Sequence, residues 1–283
     1  MANTVPDEVP VDQHPPNLYQ FKRQANYIDT LQDIGETEIA QFHEQGYLAI
    51  RQAFTPTQIQ TAGQAMWDLI DGTNPNFKGL QAEAGTRANF DALTAEDRRD
   101  AVRKLWQFID YDQRLKDLSQ DSPLINVITQ LMNDTPILFQ DMGLIKPPRI
   151  GREKPWHQDC AYFNYPAETI VIGVWIAIDA ATVENGCLHI IPGSHKQGPK
   201  PHFSKRDWQL CDTDVAVEDD VTVPLDAGGC LIWHGLMHHG SPSNHSNQRR
   251  RALQYHYRPE SAVALTKEDR LALYGGESLG VTC

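Results

Sequence analysis

The sequence has a shortage of basic residues and no long hydrophobic run. It carries 25 lysines and arginines against 37 aspartates and glutamates, which gives a formal net charge of -12 at pH 7. Broad binding to a phosphate backbone requires a dominant basic field, so nucleic acid is not expected as a partner. No apolar stretch approaches the roughly 20 residues of a membrane span, and residues 1–16 do not resemble a secretion signal. We therefore expect a cytoplasmic protein without a membrane span.

Cysteine is also scarce, with five residues scattered along the chain and no CxxC pair. That spacing indicates neither a structural zinc site nor a disulfide framework. We expect buried or free thiols in a reducing compartment, where ferrous iron also stays reduced. The sequence does not indicate an oligomeric state. The cysteines are Cys160, Cys187, Cys211, Cys230 and Cys283.

Two regions differ in composition. Residues 1–34 are rich in proline and polar side chains, and they predict a tail that is disordered or draped over the surface. Residues 35–283 show no internal boundary, and they predict one domain. Its first part favours helices at 36–46, 56–72, 95–118 and 124–132, a strand at 48–50 and a long loop at 73–94.

The second part of the domain changes to short β-like runs separated by turn residues. Helices first and many short strands afterwards predict an α+β, mainly β protein. Its core would be a double-stranded β-helix, also called a jelly roll or cupin-like fold, with the N-terminal helices packed outside. The predicted strands are 137–144, 156–161, 169–178, 186–191, 221–225, 230–233 and 252–257.

A histidine and a carboxylate stand two residues apart at His157 and Asp159. On an extended segment two such side chains project from one face of a strand. Joined by a second histidine from elsewhere, they form the facial triad that binds non-haem iron and leaves coordination positions open. The spacing alone has low specificity, because such triplets also occur for packing reasons.

Three later histidines are candidates for the third ligand. His234, His238 and His239 lie within six residues of one another, and spacing alone does not choose among them. Any one of them, taken singly, is more often a polar core residue than a metal ligand.

Three motifs together resemble the phytanoyl-CoA dioxygenase family of non-haem iron, 2-oxoglutarate-dependent oxygenases. They are His157-Gln-Asp159, the run ENGCLHIIPGSHK at 184–196, and His239-Gly-Ser241 followed by Arg250. The likeness extends from about Gln140 to His256, with a weaker match at 42–48. It implies a jelly-roll oxygenase that uses Fe(II) and 2-oxoglutarate.

In that family the distal iron histidine is followed by a serine two residues later and an arginine eleven residues later. This register selects His239 with Ser241 and Arg250. His238 is the alternative, since an arginine also stands eleven residues after it but glycine replaces the serine. The resemblance thus implies that Fe(II) is bound by His157, Asp159 and His239.

The resemblance also implies an oxoglutarate site. The far carboxylate of 2-oxoglutarate needs a bidentate guanidinium and a hydroxyl, which Arg250 and Ser241 supply. Strand alternation turns Arg250 away from the face of its two arginine neighbours, so it can point inward. Relatives place a glutamine and a tryptophan near the cofactor, which implies such roles for Gln140 and Trp175, although a strand polar residue and a core aromatic explain them as well.

The implied reaction is hydroxylation of an unactivated C–H bond in a small organic or acyl substrate by dioxygen, with release of succinate and CO2. Ascorbate is expected to stimulate it. Asp159 disfavours halogenation, because related halogenases have a small residue there. Desaturation or cyclisation in natural-product biosynthesis, oxidation of a protein substrate, a zinc hydrolase and a jelly-roll metal-binding module without catalysis remain alternatives.

Overall fold

The computed structural model describes residues 14–276 and 283. Its helices are α1 (Glu36–Gln45), α2 (Pro56–Ile70), α3 (Ala95–Ala101), α4 (Gln113–Ser119), α5 (Ser122–Met132) and α6 (Lys267–Leu273). Its first seven strands are β1 (Tyr27–Ile28), β2 (Tyr47–Ile50), β3 (Leu80–Ala82), β4 (Val102–Trp106), β5 (Pro136–Lys146), β6 (Lys154–His157) and β7 (Ile172–Ala177). The others are β8 (Leu188–Ile190), β9 (His202–Ser204), β10 (Trp208–Leu210), β11 (Val221–Val223), β12 (Cys230–His234), β13 (His239–Ser241) and β14 (Arg250–Pro259).

The strands form two large sheets, which confirms the predicted jelly roll. The major sheet has eight strands in the order β1-β2-β12-β7-β14-β5-β4-β3, and the minor sheet has four in the order β11-β8-β13-β6. β9 and β10 form a separate hairpin. Antiparallel pairing of β14 with both β5 and β7 places β14 at the centre of the major sheet.

The major sheet separates two apolar layers. Along β7, Val174 and Ile176 face the layer packed under the helices, whereas Trp175 and Ala177 face the minor sheet. β14 alternates in the same way, because successive side chains on a strand point to opposite faces. Its residues Ala252, Gln254 and His256 are therefore on the inner face, between the sheets.

The helix α2 begins where the sequence predicts. Thr55 and Gln58 form a reciprocal capping box, with Thr55 Oγ1 accepting from the Gln58 backbone N–H at 3.3 Å. Pro56 occupies the first turn, where its missing N–H costs no hydrogen bond. The buried face of the helix then packs into the layer outside the major sheet.

The prediction of a single helix over 95–118 is wrong. The helix stops at Ala101, and 102–106 form β4 between β3 and β5. Leu105 enters the apolar layer under the helices, whereas Lys104 and Trp106 face the opposite side. Sheet pairing outweighed the helical composition of this segment. The loop predicted for 73–94 likewise contains β3 and a 3-10 helix at Ala84–Ala92.

The segment 14–34 packs against the domain. Tyr27–Ile28 pairs in parallel with β2, and Leu18 and Tyr19 are buried. Trp156 donates its indole N–H to the Leu18 carbonyl at 3.2 Å. Residues 1–13 of the predicted tail lie outside the described part.

The cysteine prediction is wrong for two residues. Cys211 and Cys283 form a disulfide across 72 residues of chain, with their Cα atoms 5.3 Å apart. The other three are buried free thiols, as expected. Within the described residues, no helix is both long and apolar enough to cross a membrane.

Candidate metal centre and adjoining cavity

The candidate metal ligands lie on the minor sheet. His157 ends β6 and His239 begins β13, and these two strands pair so that the two histidines are direct cross-strand partners. Their ring centroids are 4.1 Å apart. The sheet register therefore brings together two residues that are far apart in the sequence.

Asp159 does not lie on a strand, so the strand predicted for 156–161 is too long. β6 ends at His157, and Asp159 starts a 3-10 turn that runs to Tyr162. The buried Gln158 holds this junction, because its amide donates to the carbonyls of Leu236 at 2.7 Å and Gly198 at 2.9 Å. The turn, rather than strand alternation, brings the carboxylate to the histidines.

The three side chains converge. Asp159 Oδ1 is 3.3 Å from His157 Nε2, and Asp159 Oδ2 is 3.5 Å from His239 Nε2. One ligand atom from each residue lies within 4.8 Å of the other two, which is compact enough to hold one metal ion. His157, Asp159 and His239 are each about 4% exposed or less.

Both histidines present the same nitrogen to the centre. Nδ1 of His157 lies 2.8 Å from the Pro155 carbonyl, and Nδ1 of His239 lies 3.0 Å from the Met237 carbonyl. A carbonyl accepts only, so each Nδ1 carries the proton and each Nε2 keeps a lone pair. Such outer hydrogen bonds fix the tautomer and orientation of histidine ligands.

The charges also suit a cation. Burial lowers the pKa of His157 to about 3 and lowers that of His239, so both imidazoles are neutral at pH 7. Burial opposes ionisation of Asp159, but His239 and His256 outweigh it and hold the carboxyl pKa well below its usual value. Two neutral nitrogens and one carboxylate form the donor set that suits non-haem Fe(II).

Two further side chains contact Asp159, and sequence reasoning missed both. The indole N–H of Trp233 on β12 donates to Asp159 Oδ2 at 3.0 Å. His256 Nε2 on β14 lies 2.9 Å from the same oxygen. His256 is six residues after Arg250, an even spacing on one strand, so alternation alone could have placed it on the inner face.

A cavity adjoins the metal ligands and contains the other predicted site residues. Arg250, Ser241, Gln140 and Trp175 all line it together with the triad. Arg250 is 2% exposed and donates through Nη1 to the Gly186 carbonyl at 2.7 Å, but its Nε has no partner within the described chain. Burial lowers the pKa of its guanidinium to about 10, which still leaves it charged at pH 7.

Two other residues that line the cavity also carry an unsatisfied polar atom. Gln140 Oε1 and Trp175 Nε1 are buried and find no hydrogen-bond partner among residues 14–276. The Arg250 guanidinium lies 5.2 Å from the Trp175 ring centroid. Buried polar groups are nearly always paired, so several unpaired ones around one cavity indicate a bound polar molecule.

The cavity is more cationic than the sequence indicated. Lys104 and Arg103 on β4 line it, as do Arg152 and Lys154, against the carboxylates of Glu83 and Asp159. Lys154 is matched by Asp207 at 2.7 Å, and the two arginines share Glu83 at 4.0 and 3.8 Å. Burial, with help from Lys154 and Arg103, lowers the pKa of Lys104 to about 7.

Lys104 was not identified from the sequence, because its segment was assigned to a helix. Its ammonium lies over the Trp106 ring, 4.9 Å from the centroid. No carboxylate of the described residues lies within ion-pair distance of it. The apolar walls beside it come from Trp106, Met142, Leu144 and Phe163.

The other two candidate histidines are elsewhere. His234 Nδ1 accepts from the Leu236 backbone N–H at 3.1 Å, and its ring contacts that of His195 at 5.1 Å. His238 is buried, but it is not in the group that could hold a metal. The structure thus places His239, not its two neighbours, beside Asp159.

Comparison with known proteins agrees with this geometry. A family model described as phytanoyl-CoA dioxygenase (PhyH) matches residues 42–252. The chain is similar to phytanoyl-CoA dioxygenase domain-containing protein 1 of Mus musculus, with 30% identity over 211 residues that cover 70% of each chain.

Two solved structures show the same fold. EvdO2 from Micromonospora carbonacea var. aurantiaca, complexed with 2-oxoglutarate, has a TM-score of 0.64 at 20% identity and covers 82% of this chain and 94% of its own. The non-haem alpha ketoglutarate dependent carbocyclase SnoK from nogalamycin biosynthesis has a TM-score of 0.63 at 18% identity, covering 85% and 90%.

Proposed function

The chain belongs to the phytanoyl-CoA dioxygenase family, and from this we propose that it is an Fe(II)- and 2-oxoglutarate-dependent dioxygenase. The proposed reaction hydroxylates an unactivated C–H bond of a small organic or acyl substrate, with release of succinate and CO2. One observation carries the proposal. A buried His-Asp-His group lines the same cavity as a buried guanidinium that has no carboxylate partner among the described residues.

His157, Asp159 and His239 would hold the iron. Their neutral imidazoles and single carboxylate supply three ligands without changing protonation state at pH 7. Dioxygen would be the oxidant and oxoglutarate the two-electron co-reductant, and bound iron would supply the redox chemistry that the protein's own side chains lack. The protein contributes the orientation of the ligands and a closed environment for the reacting C–H bond.

Arg250 and Ser241 would bind the far carboxylate of oxoglutarate. The buried charge of Arg250 would gain a counter-ion from this carboxylate. A charge-assisted bidentate pair with a carboxylate is stronger than the bond of Arg250 to the Gly186 carbonyl. Gln140 Oε1 and Trp175 Nε1 lie in the same cavity without partners, so we assign both to cofactor contact.

The cavity lining supports an acidic or acyl substrate. Oxoglutarate brings two negative charges and Fe(II) two positive charges, so their charges cancel. The excess of basic over acidic side chains on the cavity wall therefore remains uncompensated. Lys104 has no ion-pair partner of its own among the described residues, and apolar walls surround it. An apolar body with one anionic group fits these surfaces.

Desaturation or cyclisation is the second candidate. Both reactions diverge from hydroxylation only after hydrogen removal, so they need the same ligands and a different substrate placement. The observation that favours it is the fold shared with the carbocyclase SnoK. Product analysis by mass spectrometry separates a gain of one oxygen from a loss of two hydrogens.

The cofactor assignment is tested spectroscopically. Metal-free protein is mixed anaerobically with Fe(II) and 2-oxoglutarate, and the weak visible charge-transfer band of the chelate is recorded. We expect the band in wild type, its absence in His239→Ala, and a much higher oxoglutarate requirement in Arg250→Ala. No band in wild type would refute the oxygenase proposal and favour a zinc hydrolase or a binding module.

Turnover is then tested by succinate release under air. We expect ascorbate to raise the yield over repeated turnovers by keeping the iron ferrous, in line with the proposed cytoplasmic location. A metal-binding module without catalysis would show the band but no succinate with any substrate.

A further inference from the structure

The carboxylate of Asp159 has two oxygens in different environments. Oδ2 accepts from the Trp233 indole N–H at 3.0 Å and lies 2.9 Å from His256 Nε2. Oδ1 lies 3.3 Å from His157 Nε2, and Oδ2 lies 3.5 Å from His239 Nε2. Both oxygens thus approach the candidate metal ligands, but among the described residues only Oδ2 is also engaged by two side chains of the major sheet.

The tautomer of His256 follows from its surroundings. Its Nδ1 is buried and has no partner within the described chain, and the ring is packed against Phe139, Phe163 and Trp233. The Gln254 amide nitrogen also lies 3.3 Å from His256 Nε2, but the Asp159 carboxylate is nearer, at 2.9 Å, and can only accept. The imidazole of His256 therefore carries a hydrogen on Nε2 and donates it to the carboxylate. Both donors to Oδ2 are fully buried, so water does not compete with them.

We propose that Trp233 and His256 are positioning residues that fix the rotamer of Asp159 and present Oδ1 alone to the metal. This inference rests on the proposed function. A carboxylate that binds through both oxygens occupies one more coordination position than a carboxylate that binds through one. The facial triad has to leave positions open for a co-substrate and dioxygen. Two strong donors on Oδ2 make a bond from Oδ2 to the metal unfavourable, because that bond would have to replace both hydrogen bonds.

A merely structural role for the two residues predicts something different. In that case their replacement would lower stability and leave the affinity of the folded protein for metal unchanged. A positioning role predicts weaker metal binding in a protein that is still folded, since outer hydrogen-bond partners of metal ligands typically contribute about 10- to 100-fold in affinity.

The test measures Co(II) affinity by competition with a chelator, anaerobically and without oxoglutarate. The variants are Trp233→Phe, which keeps most of the ring and removes the donor, and His256→Leu. The rescue variant is His256→Gln, whose amide N–H can reach the same oxygen. Matched controls are Trp67→Phe on the outer surface of α2 and His234→Leu, neither of which touches Asp159.

We expect about 10-fold or greater loss of Co(II) affinity in Trp233→Phe and His256→Leu. His256→Gln should recover part of that loss, and the two controls should stay near wild type. The Co(II) absorption spectrum should also change in the two variants, because the coordination of Asp159 changes. Near-UV circular dichroism confirms the fold of each variant before titration.

Three outcomes are distinguishable. Wild-type affinity and spectrum in folded Trp233→Phe and His256→Leu would overturn the positioning role while leaving the metal site intact. Equal losses in His256→Leu and His256→Gln would also overturn it, because the donor would then not matter. Failure of wild type to bind Co(II), with no further loss in His239→Ala, would refute the metal site itself and both proposals with it.

Discussion

Two arginines whose side chains are largely buried have opposite surroundings. Arg206 is enclosed by carboxylates, with Nε 2.8 Å from Glu153 and both terminal nitrogens 2.7 Å from the Asp212 oxygens. The Arg250 side chain is more deeply buried, yet within the described residues it donates only to the Gly186 carbonyl. Burial opposes both charges, but the carboxylates raise the pKa of Arg206, whereas that of Arg250 falls to about 10.

We interpret the surroundings of Arg206 as a structural network and those of Arg250 as a binding site. The Arg206 network, which we define as Tyr19, Glu153, Arg206, Gln209 and Asp212, pairs its guanidinium with the protein's own carboxylates and needs no ligand. Among the described residues, the cavity that Arg250 lines leaves the guanidinium without a carboxylate and leaves Gln140 Oε1 and Trp175 Nε1 without a partner. A protein retains such a desolvation cost where a ligand compensates it. The following predictions test this distinction, starting with the largest expected effect.

Arg206→Met should lower the free energy of unfolding by about 3–5 kcal/mol, because it leaves the buried Glu153 without a counter-ion and removes the closer of two cations from Asp212, the other being Lys205 at 3.7 Å. Arg250→Met should change it by less than about 1 kcal/mol, since it removes an unpaired buried charge. Urea denaturation of both variants measures the two values. Equal destabilisation would mean that Arg250 is structural after all.

Arg250→Met should weaken oxoglutarate binding by about 2–5 kcal/mol, the range found when one partner of a buried charge pair is removed. Calorimetric titration of the anaerobic Fe(II) protein gives the affinity. Lys78→Met, an exposed lysine outside the cavity, serves as the control. Unchanged affinity in Arg250→Met would place the far carboxylate elsewhere.

Gln140→Leu and Ser241→Ala should each weaken oxoglutarate binding by about 1 kcal/mol, because each loses one hydrogen bond to the cofactor. The same titration measures both. Gln209→Leu, within the Arg206 network, should leave the cofactor affinity unchanged. An effect in Gln209→Leu as large as that in Gln140→Leu would remove the contrast between the two regions.

The smallest expected difference between the two regions is in how stability responds to low pH. Burial opposes ionisation of Asp212, but its bonds to Arg206 outweigh this and lower the carboxyl pKa. A depressed pKa contributes stability above the unfolded value of about 3.9, and this is lost as the pH falls through the folded value. Wild type and Arg250→Met should therefore lose stability below about pH 4 by similar amounts, and Arg206→Met by less.

The sequence predicted those site residues that lie in local motifs. His157, Asp159, His239 and Ser241 stand within short runs of chain, and the alternation of β14 was enough to turn Arg250 inward. The details of Asp159 could not be predicted, since its position depends on a 3-10 turn that is anchored by Gln158 to residues 40 and 78 positions away.

The contacts missed by the sequence are long-range. Trp233 and His256 reach Asp159 from 74 and 97 residues away, through the closure of one sheet on the other. The sequence did not predict Lys104 as a cavity residue for another reason. Charged residues around 95–106 have the spacing of an exposed helix. Only pairing with β5, which no local pattern encodes, makes that segment a strand.

The division of the site between the two sheets has a consequence for assembly. The metal ligands belong to the minor sheet or to the turn that follows β6, whereas Arg250, Gln140 and Trp175 belong to the major sheet. Oxoglutarate bound as we propose would contact both sheets of the sandwich. A chain that has formed only one sheet would offer only part of this site, so cofactor binding would report closure of the two halves and would slow their separation.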